Sequence, residues 1–188
     1  TAMTRRARVF AAGLALAGIL AACATPPQTA RVQQSRPEGL SPAVELRQVP
    51  FFAQQKYQCG PAALAMVLAD LGRDVAPADL VDEVYVPEKE GSLRTEMRAA
   101  ARARGAVPYP LEADLRALLR EIDAGYPVLV MQNLALDWWP RWHYAVVVGY
   151  DLEKGEIILR SGTDRRRVIP IGTFERTWAR ADYWAQVV

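Results

Sequence analysis

The chain has 188 residues, 51% of them hydrophobic and 23% charged, with a formal net charge of +2. That suits one compact domain and is short for two, and neither a repeat nor a low-complexity tract argues for a solenoid, a collagenous rod or a disordered chain. The near-neutral balance gives no basic field for nucleic acid, and one histidine with two cysteines excludes the usual multi-ligand zinc sites.

Arg5, Arg6 and Arg8 precede an apolar run of 14 residues, Val9 to Ala22. The run fits the ~7–15 residues of a signal-peptide core. It falls short of the ~20 that span a bilayer; a short N-terminal membrane anchor is the alternative. Met3 is the expected start. The run ends in "LAAC", Leu20 to Cys23, which resembles the bacterial lipobox. The resemblance implies cleavage before Cys23 and its lipidation, the alternative being a cleavage site that a cysteine happens to follow. With Ala24 in place of Asp, it also implies an outer-membrane lipoprotein facing the periplasm. Residues 1–22 are therefore expected to be a lipoprotein signal peptide. They carry three arginines and no acid, so their removal takes the net charge from +2 to −1. Residues 23–43 are expected to be the lipidated cysteine and a flexible linker, since 24–42 hold four prolines and little apolar periodicity. The folded domain is then expected at 44–188.

"YQCGPAALAMVLADLG" follows, residues 57–72. Its Ala and Leu content predicts a helix stopped by Gly72, and Pro61 fits the first turn, where its missing N–H costs nothing. Cys59 then sits at the helix N-terminus, where free N–H groups and the dipole are expected to lower the thiol pKa. Gly60 is expected to let substrate approach the sulfur. With Cys23 lipidated, Cys59 is an odd thiol in an exported chain, a pattern that marks a reactive cysteine. A lone buried cysteine that merely packs is the bland reading.

Further helices are predicted near Pro77–Val84, over 92–105 with Ser92 and Gly105 as caps, and over 112–125. Strands follow at 127–132, 143–150, 156–162 and 166–171, then a short helix at 173–181 and a closing strand at 183–188. Helices first and antiparallel strands second is an α+β plan with the Cys59 helix packed on the sheet. His143, the only histidine, opens the strand "HYAVVVGYD" and so stands at the sheet edge. Trp138, Trp139 and Trp142 precede it; they either cap the core or wall a substrate groove. No phosphate loop, EF-hand or zinc signature is present.

"VPFFAQQKYQCGPAALAMVLADLG" together with "HYAVVVGYD" resembles the papain-like cysteine peptidases of the bacteriocin-leader-processing, or double-glycine, group, and specifically their stand-alone exported lipoproteins. The likeness runs from residue 49 to about 185. It implies a papain-like fold, a peptide or protein substrate, no cofactor and no metal, with Cys59 as nucleophile and His143 as general base. It implies an oxyanion-hole glutamine before the cysteine: Gln54, with Gln55 as rival. No transporter domain accompanies the peptidase in this chain. The family's third residue, an Asp one strand after the histidine, should fall near Leu159–Ser161, where no carboxylate stands. If "DLEKGE" is a hairpin centred between Glu153 and Lys154, paired residue numbers sum to 307 and Asp164 opposes His143; Ser161 or a backbone carbonyl are the alternatives. Two other readings stay open: acyl or amide transfer by the same thiol, and a peptide-binding domain that has kept the groove.

Overall fold

The computed structural model describes residues 25–54 and 58–188. The signal-peptide segment, Cys23 and Gln55 lie outside the described residues. Among those residues no helix is long and apolar enough to cross a membrane.

The centre is a seven-stranded antiparallel sheet. Its order is β4 (Tyr109–Pro110), β9 (Ala185–Val187), β5 (Val128–Asn133), β6 (Trp142–Asp151), β7 (Glu156–Ser161) and β8 (Asp164–Pro170), with β1 (Ala43–Glu45) pairing the far end of β6. Every residue of β5 and Tyr144 to Tyr150 of β6 are buried, so these strands are covered on both faces, as their unbroken apolar runs require.

The helix carrying the cysteine, α2 (Cys59–Asp70), packs on β6. It is buried from Gly60 through Leu68 without interruption, so it is a core helix and not an amphipathic surface one. Around it lie α3 (Ala78–Val84) and α4 (Arg94–Ala103), joined through a small hairpin of β2 (Tyr85–Val86) and β3 (Gly91–Ser92). Helix α5 (Leu115–Asp123) packs on β6, and α6 (Ile171–Ala179) on β5 and β8. The expected α+β class, with the Cys59 helix packed on an antiparallel sheet, is what the chain adopts.

Two local expectations are corrected. Ser92 does not cap α4. Leu93 holds the cap position without a side-chain bond, and the Ser92 hydroxyl is buried with no partner among the described residues. Gly105 does close that helix, at a φ of 70°.

The larger correction concerns the linker. Residues 27–34 are not an extended tether; Pro27–Gln34 form a helix, α1, docked on the domain. Pro27 occupies the first turn, where proline is accommodated. Glu175 of α6, fully buried, accepts from the Gln28 N–H at 3.0 Å, the Thr29 N–H at 2.5 Å and the Thr29 hydroxyl at 2.6 Å. The carboxylate thus satisfies donors at a helix N-terminus, where an anion is favoured. Gln28 binds the Ala113 carbonyl and the Leu115 N–H at the start of α5. Proline content hid these contacts, because the anchoring residues are polar.

Replacing Glu175 by Ala is expected to cost roughly 3 kcal/mol, since it strands buried donors. Limited proteolysis of Glu175→Ala should cut within residues 25–42, where the parent chain resists.

Candidate active site

Three segments converge on the backbone of Tyr144, the residue after His143. The N-terminus of α2 brings the Cys59 sulfur to the Tyr144 N–H, which donates to it together with the N–H groups of Gly60 and Cys59 itself. Gln54 donates its Nε2 to the Tyr144 carbonyl, in the next peptide group along β6, at 3.2 Å. His143 is the residue before, the second of β6.

Gln54 fits here because β6 and β7 part at this end. The last ladder pair is Val146 with Arg160. Beyond it Gln54 fills the gap: its N–H donates to the Gly162 carbonyl at 2.9 Å, and its Oε1 accepts from the Gly162 N–H at 2.9 Å. The backbone and amide of one residue thus continue the sheet. The Gly162 contact also fixes which end of the amide is which, so Nε2 faces the Tyr144 end with one N–H engaged and one left to donate.

The histidine ring is held by Ser161, whose Oγ lies 2.8 Å from Nε2. Asp164 is not its partner. That expectation is corrected for a specific reason. The pairs nearest the hairpin turn, from Asp151–Glu156 to Gly149–Ile158, do sum to 307, but a bulge at Val148 changes the sum to 306 at Val147–Leu159. Strand β7 then ends at Ser161 and turns through Gly162, at a φ of 62°, into β8, so Asp164 lies on the next strand opposite Ser161. Its carboxylate is exposed and sits 3.5 Å from Arg167. The string "SGTD" carried this turn, since a glycine opening a two-residue loop favours a tight hairpin.

Of the expected groove residues, Gly60 is corrected. A Cβ there would overlap the Ser92 side chain, so the bare Cα serves packing of α2 against β3, not access to the sulfur. The tryptophans do not cap the core. Trp138 and Trp139, on the loop between β5 and β6, and Trp142, the first residue of β6, are 78%, 71% and 51% exposed. Asn133 holds that loop, its Oδ1 accepting from the N–H groups of Ala135 and Arg141, and Arg180 binds the carbonyls of Asn133 and Ala135. Trp142 borders an open cleft of about 490 Å³ with Asn133, Asp137, Ala179, Arg180 and Asp182.

The electrostatics depart from expectation. Burial raises the Cys59 pKa and outweighs the three backbone donors that lower it. The helix terminus acts in the expected direction and loses to desolvation. Burial, followed by the charges of Arg167 and Arg141, lowers the His143 pKa to about 4. At neutral pH the site therefore rests as a neutral thiol and a neutral imidazole. Among the described residues no His, Cys, Asp and Glu cluster suits a metal ion.

The model of the Peptidase_C39 like family matches residues 46–185. No curated protein sequence matches the chain. Among solved structures the chain is similar to a Bacillus anthracis protein described as C39-like peptidase, at 19% identity and a TM-score of 0.64 over 79% of this chain and 98% of that one. It is similar to a double-glycine-motif protease from an AMS/PCAT transporter solved with the leader peptide, at 20% identity and a TM-score of 0.55 over 74% and 89%. A third similar structure is xylellain, a cysteine protease from Xylella fastidiosa, at 13% identity and a TM-score of 0.55 over 84% and 87%. These likenesses show the fold.

His143 can be followed alone by NMR, because the chain has no other histidine. Its titration midpoint is expected at about 4. An unfolded histidine binds its proton near ~6.5, so between those values the unfolded chain holds the extra proton and stability is lost as the pH is lowered. Denaturant melts should show a loss of roughly 3 kcal/mol from this group between neutral pH and about pH 4, and none of it above ~6.5.

Proposed function

The chain belongs to the Peptidase C39-like family, whose members are cysteine peptidases, and we propose that it cleaves peptide bonds through Cys59, His143 and Gln54. The convergence of Cys59 and Gln54 on the backbone of Tyr144, next to His143, carries this reading.

In the tautomer with the proton on Nε2, His143 donates to the Ser161 hydroxyl and leaves Nδ1 as the base. His143 takes the Cys59 proton as the sulfur attacks the substrate carbonyl. The carbonyl oxygen gains charge beside the free Gln54 N–H and the backbone N–H groups at the start of α2, which stabilise it. The imidazolium returns its proton to the leaving amine. Water, activated by the same ring, then attacks the thioester and releases the acid. The resting pair is neutral, so the proton moves during attack and not before it. Trp138, Trp139 and Trp142 offer rigid aromatic surface for the peptide beside the histidine strand. The leader-peptide complex of the transporter protease is a precedent for peptide binding on this fold.

We further propose that Cys23 carries lipid and holds the domain at the periplasmic face of the outer membrane. With α1 docked from Pro27, only residues 24–26 separate that cysteine from the folded domain. Palmitate labelling of the full chain, lost in Cys23→Ala, checks this.

A second reading, a peptide-binding domain with slow turnover, is favoured by one observation: Ser161 stands where the family carries a carboxylate, and the imidazole is correspondingly a weak base.

Mass-spectrometric profiling of a peptide library separates the two. Cleavage by the parent chain should disappear in Cys59→Ala and fall ~10²–10³-fold in Gln54→Ala, the cost of one oxyanion donor. Ser161→Asp should raise the His143 titration midpoint and the turnover rate together, because a carboxylate at Nε2 stabilises the imidazolium. Binding without cleavage on every peptide would favour the second reading. Capture of the acyl group by an added amine in preference to water would make the chemistry transfer.

A further inference from the structure

A second cleft, about 440 Å³, lies away from the cysteine and is lined by Glu45, Arg47, Arg160, Arg165 and Arg166. Four guanidinium groups meet one carboxylate there, and that carboxylate is already taken. Arg166 grips Glu45 in a two-point contact of 2.9 and 3.2 Å, and Arg47 stands 3.7 Å from it.

Arg160 is the unusual member. It is 2% exposed. One terminal nitrogen donates to the Arg165 carbonyl and the other to the Val49 carbonyl, while its Nε–H has no partner among the described residues. No carboxylate lies within ion-pair distance of it among those residues. Arginine is rarely buried unless paired, because a desolvated cation without a counter-charge is costly. Here the cost is borne at the wall of an open cleft, next to the further charge of Arg165 on the exposed part of β8. Glu45 is the one acid that favours the charge of Arg160, and it is shared with Arg166 and Arg47; an anion entering the cleft adds to that charge, and the forks of Arg47 and Arg165 match a carboxylate in shape as well as sign.

The cleft is joined to the active site by two short pieces of chain. Arg160 immediately precedes Ser161, which holds the histidine ring, and Val49 runs in five residues to Gln54. Five residues span at most ~17 Å when extended, at ~3.3 Å each, so about the same number of substrate residues bridges the two places.

We infer that this arginine cleft binds an acidic side chain of the peptide substrate, Glu or Asp, at a fixed distance along the peptide from the bond that is cut. The inference rests on the peptidase reading above and adds the substrate's charge.

The test uses peptide pairs that differ only by Glu or Gln at one position, the position being moved along the peptide. The full chain is expected to prefer Glu by about tenfold or more in kcat/KM at one position, and little elsewhere. That preference should shrink at high salt. In the double variant Arg47→Gln with Arg165→Gln the Glu-to-Gln ratio should fall towards one, with circular dichroism and melting confirming that the variant is folded. A preference at no position, or one that survives in the double variant, overturns the inference. Cys59→Ala protein and labelled peptides, read by fluorescence anisotropy, separate the two readings. Selective binding of the Glu peptides without any cleavage by the parent chain would sink the peptidase reading and keep the cleft. Efficient cleavage with no charge preference would do the reverse. Inorganic phosphate that displaces the Glu peptide competitively supports the cleft as the anion site; phosphate binding with no Glu preference overturns its assignment to a peptide side chain.

Discussion

The site depends on the gap between β6 and β7 and on the residue that fills it. Two strands that diverge leave backbone donors and acceptors which, inside a protein, must find partners. Gln54 supplies them with its own N–H and both ends of its amide, to Gly162 and Tyr144. The same contacts bring the segment before α2 against the sheet. Positioning the oxyanion donor and tying the cysteine helix to the histidine strand are therefore one interaction. A glutamine at this point does what no apolar residue of that size can do, because it imitates a peptide group.

Electrostatics at the site is a contest that burial wins. Three N–H groups favour a thiolate at Cys59, and removal from water disfavours it more strongly. For the imidazole, burial and the neighbouring Arg167 and Arg141 act in the same direction. Where a carboxylate would have opposed both, Ser161 offers a neutral hydroxyl that orients the ring without stabilising its charged form. Serine thus fixes the geometry of the ring, while burial and the two arginines set its resting protonation state.

Much of this was legible. The Ala and Leu run after Cys59 and the apolar strand after His143 state their elements through composition and period, and the 307 register holds for the pairs nearest the turn. The sequence failed where one residue decides. The bulge at Val148 leaves no mark in an unbroken run of valines, yet it shifts the pairing and, with the turn at Gly162, moves Asp164 out of the site. Helix α1 was missed because its anchors are Gln28, Thr29 and Val32 in a polar, proline-flanked stretch, and their partner Glu175 lies some 147 residues further on. The Cys59 pKa was misjudged because a helix N-terminus is a local feature and desolvation is not.

The arginines give the two ends of the molecule a common logic. A chain whose formal net charge is only +2 places Arg160, Arg165, Arg166 and Arg167 around the β7–β8 hairpin, with Glu45 and Asp164 as near acids. Local excess of one sign is costly when empty and favourable when a ligand of the other sign arrives. At His143 burial comes first, and the charges of Arg167 and Arg141 add to it in making the imidazole a weak base. A carboxylate brought to this end of the sheet acts against the same field, with an effect that falls with distance and salt. On the inference that the cleft takes an acidic side chain of the substrate, that charge opposes the effect of Arg167 on His143 when substrate is bound, and recognition of substrate charge is then coupled to the proton transfer that chemistry requires.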